Sequence, residues 1–240
     1  MTENARPGEG KVAVVTGASS GIGAATVRAL AADGWTVYLA ARRTELIDEL
    51  AAEVGGVAVT TDVTDDASVA ALADVLDHVD LLVNNAGGAH GLDSIEDANL
   101  EDWQWMFDTN VLGTVRVTKA LLPKIRDNGQ IINMSSTAAI TPYRGGAGYN
   151  AAKFGVAALT RVLRLELLER PIRVCEINPG RVKTDFSLVR FAGDEQRANA
   201  VYDGHLNVKP EDIAEAVRWV AAQPEYMNID RMVIKARDQD

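Results

Sequence analysis

Residues 16–23 read Thr-Gly-Ala-Ser-Ser-Gly-Ile-Gly, directly behind an apolar run at 11–16 and directly ahead of a segment, 22–33, whose apolar residues recur at helical spacing. A strand, a glycine turn and a helix in that order admit few architectures. Glycines there let the backbone turn sharply and approach a pyrophosphate, which then rests against the positive N-terminus of the helix. A tight strand-to-helix turn can use the same residues for no further purpose; the flanking strand and helix favour the nucleotide. Gly8-Glu9-Gly10-Lys11, close by, lacks the spacing and the Ser or Thr of a phosphate loop and reads as part of a flexible leader, 1–10.

The alternation continues down the chain. Short apolar runs at 36–40, 57–61, 80–84, 130–135, 172–178 and 229–234 join the first as buried parallel strands, about seven in all, with amphipathic stretches such as 45–54 and 210–222 between them. Repeated βαβ units with right-handed crossovers predict an α/β fold, a doubly wound parallel sheet with helices on both faces and ligands at the carboxyl ends of its strands. No linker or shift in composition divides the 240 residues, so a single domain is expected. The longest stretch without periodicity, 180–208, follows the sixth strand, and 181–208 reads as a substrate lid.

Charge narrows the partners. With 24 Lys and Arg against 34 Asp and Glu, the net charge of −10 repels nucleic-acid backbones and anionic membranes, so neither is expected as a partner. No apolar run approaches the ~18 residues of a membrane span, and no apolar targeting segment opens the chain. One cysteine, Cys175, makes no internal disulfide, and no Cys/His spacing resembles a metal site, which fits a reducing cytoplasm.

A small anionic cofactor needs only a local basic cluster, and the second strand ends in one: Leu39-Ala40-Ala41-Arg42-Arg43. An acidic residue about 20 residues past the glycines would bond the adenosine ribose of NAD. Ala41 stands there instead, and Arg42, with help from Arg43, offers planar charged donors suited to a 2′-phosphate. NADP(H) therefore fits better than NAD, against the plainer reading of two solvated arginines opening a helix. Ser20 adds no further basic residue.

Tyr149 and Lys153 lie four apart and share one face if Tyr149 opens a helix running to 168. Ser135 and Ser136 end the preceding strand at the carboxyl edge that also carries the glycine turn, and Asn110 interrupts another apolar helix. A phenol near pKa 10 exchanges protons poorly at neutral pH, and an adjacent ammonium would lower it.

Together these residues resemble the short-chain dehydrogenase/reductase family over nearly the whole chain. The resemblance rests on Thr-Gly-x-x-x-Gly-x-Gly at 16–23, Asn-Asn-Ala-Gly at 84–87, Ser136 thirteen residues before Tyr149, Tyr-x-x-x-Lys at 149–153 and Asn-Pro-Gly at 178–180. It implies a Rossmann fold, a nicotinamide cofactor and a catalytic tetrad of Asn110, Ser136, Tyr149 and Lys153. The serine would orient the substrate oxygen, the tyrosine exchange its proton, the lysine assist the tyrosine and hold the nicotinamide ribose, and Asn110 support a water leading to the lysine. Ser135 fits the serine's place less well. The cofactor would follow Gly17, Ser19, Ser20, Gly21, Ile22 and Gly23, then Arg42 and Arg43. Asp62 and Val63 would flank its adenine. Asn84, Ala86, Gly87, Pro179, Gly180, Val182 and Thr184 would follow the remainder.

A narrower resemblance, to the NADP-dependent serine and 3-hydroxy acid dehydrogenases, rests on 185–191, Gly193-Asp194, Lys209-Pro210-Glu211-Asp212-Ile213 and Trp219-Val220. It implies a short 3-hydroxy acid or its semialdehyde as substrate, with Arg190, then Arg144 and Arg181, as candidates for holding the carboxylate beside Ser136 and Tyr149. A looser one, to the reductase of the clavulanate-forming aldehyde, rests on 153–156 and the Asp238-Gln239 ending and implies an uncharged aldehyde or ketone. A silent cofactor-binding regulator is the rival from another class; an epimerase or dehydratase on nucleotide sugars fits the length and glycine spacing poorly. The family also implies a homodimer or homotetramer packed through helices near 101–122 and 149–169, and Ala151, Phe154, Ala158 and Val162 supply an apolar face at helical spacing.

Packing is the expected task of Trp103, Trp105, Trp219 and Cys175, and the surface that of His78 and His205. His90, just past Asn-Asn-Ala-Gly, stands where it could rim a site.

Overall fold

The structure, a computed structural model, describes residues 6–239. Seven strands, β1 (Val12–Thr16), β2 (Thr36–Ala41), β3 (Val57–Thr60), β4 (Val79–Asn84), β5 (Ile125–Met134), β6 (Arg173–Pro179) and β7 (Arg231–Ile234), pair in parallel in the order β3-β2-β1-β4-β5-β6-β7. The helices are α1 (Gly21–Ala32), α2 (Thr44–Val54), α3 (Asp66–Asp74), α4 (Leu100–Phe107), α5 (Gly113–Leu121), α6 (Ala147–Glu166), α7 (Phe186–Arg190), α8 (Glu195–Ala200) and α9 (Pro210–Ala221). This is the expected doubly wound, Rossmann-type α/β sheet.

Side-chain alternation explains why both faces are covered. Ala13 and Val15 of β1 join Leu81, Ile132 and Cys175 against Val27 and Leu30 of α1, Ile47 of α2 and Ile213 and Val217 of α9. Val14 points the other way, with Leu82 and Ile131, against Leu72 of α3 and Val117 and Leu121 of α5. Because the chain runs outward from β1 to β3 and then jumps back to β4, strand order reverses between β1 and β4. That reversal opens a crevice at their carboxyl ends.

The elements differ from the expected bounds in three places. Strand β5 begins at Ile125, ahead of 130, because Asn128 adopts a left-handed φ of 66° and the register shifts between Val79 and Leu81. The polar residues there lie exposed, so no apolar pattern marked them. The stretch 180–208 is not irregular throughout: it holds α7 and α8, the latter capped by the Asp194 side chain accepting from the Arg197 amide, each too short to show a helical period. Of the expected leader, residues 1–5 lie outside the described residues, while Gly8 donates to the Asp33 carbonyl at 3.0 Å and packs flat on Trp35. Among the described residues no helix is long and apolar enough to cross a membrane.

Candidate active site

At the crevice, sequence dictates backbone shape directly. Gly17 adopts a φ of 64°, and a Cβ there would lie 2.9 Å from the Ala86 Cα. A Cβ on Gly23 would stand 2.2 Å from the Gly17 carbonyl, so only glycine lets α1 start this close to the turn. The Thr16 hydroxyl accepts from the amides of Asn85 and Ala86 at 3.0 and 2.9 Å, which fixes the end of β4 against the end of β1. The amides opening α1 thus face a concave cradle.

Arg43 reaches back over that cradle. Its Nε donates to Ser19 Oγ at 3.0 Å, and its Nη2 to Ser19 Oγ and Ser20 Oγ at 2.8 and 2.5 Å. Arg42 is exposed, and its charge acts on Asp62: burial alone would raise that carboxyl, but the Thr64 amide and hydroxyl, with Arg42 and Arg116, hold it below its usual range. Both arginines are exposed and border the crevice. Arg43 is the one organised with the glycine turn.

The other end of the crevice gathers Asn110, Ser136, Tyr149 and Lys153. Between α4 and α5 the helix widens to a π turn over Asp108–Leu112 that carries Asn110, buried, inward. Asn110 Nδ2 donates to the carbonyls of Met106 and Gly88 at 2.8 and 2.9 Å, and Oδ1 accepts from the Gly88 amide at 3.3 Å. A Cβ on Gly87 would lie 2.5 Å from Asn110 Oδ1 and 3.5 Å from Lys153 Nζ, so this glycine keeps the two polar groups adjacent. Lys153 Nζ donates to the Met134 carbonyl at 3.1 Å, and burial pulls its pKa down to about 8.

Tyr149 is buried, edge-on to Phe186 with centroids 5.5 Å apart. Burial raises its phenol above the usual value, and Tyr143 adds to this, while a hydrogen bond with Ser136 and the charge of Arg190 pull the other way. Lys153 Nζ lies 5.7 Å from the Tyr149 ring centroid. Ser136 Oγ accepts from the Ala138 amide at 3.1 Å, and Ser136 borders the crevice together with Tyr149.

One cavity of about 760 Å³ links the two ends. It is lined by Gly17, Ser19, Ser20, Gly21, Ile22, both arginines, Asp62, Val63, Ala86, Gly87, Ser136, Tyr149, Lys153, Pro179, Gly180, Val182 and Thr184. Arg144, Arg181 and Arg190 also border it. Gly23 lies behind the wall, as close packing requires. Asn84 is not at the cavity: its Nδ2 donates to Thr118 and Asn133, both at 2.9 Å, in a buried ladder that Asn133 extends to Thr160. Strand alternation decides this, since Asn84 shares the face of Leu82 and leaves Asn85 to meet the crevice.

The sequence reading missed Asn85, Tyr143 and Trp105, all at the cavity. Trp105 was expected only to pack, and Trp219, also expected to pack, is 51% exposed. Cys175 is core as expected, its thiol pushed up to about 12 by burial. Arg190 places its guanidinium 5.6 Å from the Tyr149 centroid and 5.4 Å from that of Tyr143. Two of its nitrogens are engaged, Nε with the Gly91 carbonyl at 2.9 Å and Nη2 with Tyr143 Oη at 2.7 Å. Arg181 is tied to Asp238 at 2.8 Å.

Known proteins share this arrangement of sequence and fold. An uncharacterised oxidoreductase of Mycobacterium tuberculosis is 58% identical over 231 residues, spanning 95% of this chain and 92% of the relative. The serine 3-dehydrogenase of Agrobacterium fabrum is 38% identical over 233 residues, 94% of each chain. An NADP-dependent 3-hydroxy acid dehydrogenase of Salmonella typhimurium is 40% identical over 228 residues, 91% of this chain and 92% of the relative. Among solved structures, the closed form of a serine dehydrogenase complexed with NADP+ superposes with a TM-score of 0.90 at 38% identity, over 93% of this chain and 94% of that one. Residues 11–194 match the family described as short chain dehydrogenase, and the chain belongs to that family.

Proposed function

We propose that this chain, acting as a single domain, is an NADP(H)-dependent oxidoreductase that interconverts an alcohol and a carbonyl. The observation that carries the reading is the cavity with a glycine cradle and Arg43 at one end and Ser136, Tyr149 and Lys153 at the other, with Asn110 buried against Gly87. The residues fit the cofactor: a Cβ at Gly17 would fill the cradle, and Arg43 with Ser19 and Ser20 gathers charged and hydroxyl donors suited to a 2′-phosphate. When bound, the nicotinamide supplies or accepts the hydride.

The chain's own residues manage the proton and the geometry. Ser136 orients the substrate oxygen toward Tyr149. Held as a neutral phenol at neutral pH, Tyr149 donates its proton to a forming alkoxide and recovers it in the reverse direction. Lys153 and Asn110, adjacent across Gly87, hold the ribose and relay protons to the tyrosine. Phe186 and Tyr143 help keep water from the reacting centre.

For the substrate, a short 3-hydroxy acid or its semialdehyde is the reading, supported by the cation of Arg190 above Tyr149 and by the similarity to proteins named for serine and 3-hydroxy acids. An uncharged aldehyde or ketone is the alternative, and a silent NADPH-binding regulator the rival from outside catalysis. Assay of NADPH oxidation against a panel of semialdehydes, 3-oxo acids and neutral carbonyls decides among them: turnover only with neutral compounds favours the alternative, and none at all favours the regulator. A homo-oligomer in the cytoplasm is part of the same reading, supported by Phe107, Leu112, Val115, Phe154 and Val162, apolar and exposed along α4, the π turn, α5 and α6.

A further inference from the structure

The loop after β4 makes two reciprocal grips, one on the tetrad and one on the lid. At Gly88 it exchanges hydrogen bonds with Asn110 in both directions, 3.3 and 2.9 Å. At Gly91 it exchanges them with Arg190: the Gly91 amide donates to the Arg190 carbonyl at 3.0 Å, and Arg190 Nε donates to the Gly91 carbonyl at 2.9 Å. Between the grips stands His90. Its ring stacks on Trp105 with centroids 3.9 Å apart and planes 8° from parallel, and its Nδ1 lies 2.7 Å from Asp102 Oδ1.

Asp102 and Trp105 both belong to α4, so His90 is fastened to that helix by a ring face and by a polar edge. Trp105 also closes over Gly88, where a Cβ would come within 2.9 Å of the indole. We infer that His90 is a positioning residue that fixes the Asn110 grip and the Arg190 grip to one helix, coupling the seating of the α7 lid to the geometry of the tetrad. The inference rests on the oxidoreductase reading, because the two grips matter only if Asn110 and Arg190 serve one reaction. A histidine suits this task because one flat ring can stack and hydrogen-bond at once.

His90→Ala removes both fastenings and leaves the cofactor cradle untouched. With wild-type and variant proteins loaded with NADPH, the expected result is a KM for the preferred carbonyl raised about 10-fold, a kcat lowered several-fold, and a nucleotide Kd within twofold of wild type. Amide hydrogen exchange should quicken in both 88–91 and 186–191. His90→Phe, which keeps a flat ring on Trp105, should recover most of both effects. Faster exchange at 88–91 alone, an unchanged KM, or no recovery by phenylalanine would overturn the coupling. If wild type turns over no carbonyl compound, the oxidoreductase reading fails, while the exchange pattern at 186–191 still decides the coupling.

Discussion

Lys153 donates its buried ammonium to the carbonyl oxygen of Met134, the last residue of β5, at 3.1 Å. A lysine held by one neutral carbonyl is poorly compensated for lost water, which is why its pKa falls from 10.5 to about 8. Between these values the unfolded chain binds more protons than the folded one, so stability rises with pH through that window; below about 8 the fold carries the whole cost, ~3 kcal/mol.

Lys153→Met should therefore raise the stability of the nucleotide-free protein at pH 7. Loss of the Met134 bond returns ~1 kcal/mol, leaving a net gain of about 2 kcal/mol, or a Tm higher by roughly 4–8 °C. The gain should shrink above pH 10, and turnover should vanish. Calorimetry at pH 7 and pH 10 measures this directly, and a Tm lowered at pH 7 would show the lysine to be structurally supportive instead.

Tyr149→Phe removes one oxygen from a buried site whose edge contact with Phe186 can remain. Turnover should fall by at least about 100-fold, the usual scale of a lost general acid, while fluorescence titration gives an NADPH Kd within about twofold, since only the transferable proton is lost. A variant that keeps most of its turnover would remove the proton-donor role.

Cofactor preference tests the two arginines separately. Arg43→Ala should lower the preference for NADP(H) over NAD(H) by about 10- to 100-fold, as expected for a charge-assisted hydrogen bond of ~1.5–3 kcal/mol. Arg42→Ala should change it less, because it is Arg43, not Arg42, that bonds Ser19 and Ser20. An equal loss for both would mean that Arg42 swings onto the phosphate when the cofactor binds.

Most of the fold was legible because a two-face-buried parallel strand writes itself as an apolar run, and a glycine turn before a helix writes itself as Gly17, Gly21 and Gly23. Less local features were not. Arg43 gains its place from two serines 23 and 24 residues away, a contact that no spacing rule favours over one made by Arg42. Trp105 looks like any aromatic on an amphipathic helix until the fold stacks it on His90. The π turn at Asn110 leaves only a polar break in an apolar pattern, and α7 and α8 are shorter than two helical turns or close to it.

Exposed apolar residues on α6 supply an assembly test. Phe154 is 43% exposed and Val162 50%, two turns apart on one face of α6, and Leu112 and Val115 are exposed as well. The wild type should sediment at micromolar concentration as a dimer or tetramer, and Phe154→Glu combined with Val162→Glu should shift it toward the single-chain mass. A monomeric wild type would dismiss these faces as an interface.

Arg190 offers a test of the proposed substrate class. Its guanidinium sits near the rings of Tyr143 and Tyr149, with Nε and Nη2 bonded to Gly91 and Tyr143, and the residue borders the cavity. Seating a carboxylate there requires the arginine to share or exchange its Tyr143 bond, while Gly91 keeps the side chain from leaving the lid. The discriminating comparison pairs a 3-hydroxy acid with its methyl ester, each assayed with wild type and Arg190→Ala. If the arginine binds the carboxylate, the acid should lose about 30-fold or more in kcat/KM, ~2 kcal/mol of transition-state binding, and the ester a few-fold at most. Equal losses for acid and ester would confine Arg190 to holding the lid on Gly91, and a wild-type enzyme that prefers the ester would point to the neutral-carbonyl alternative.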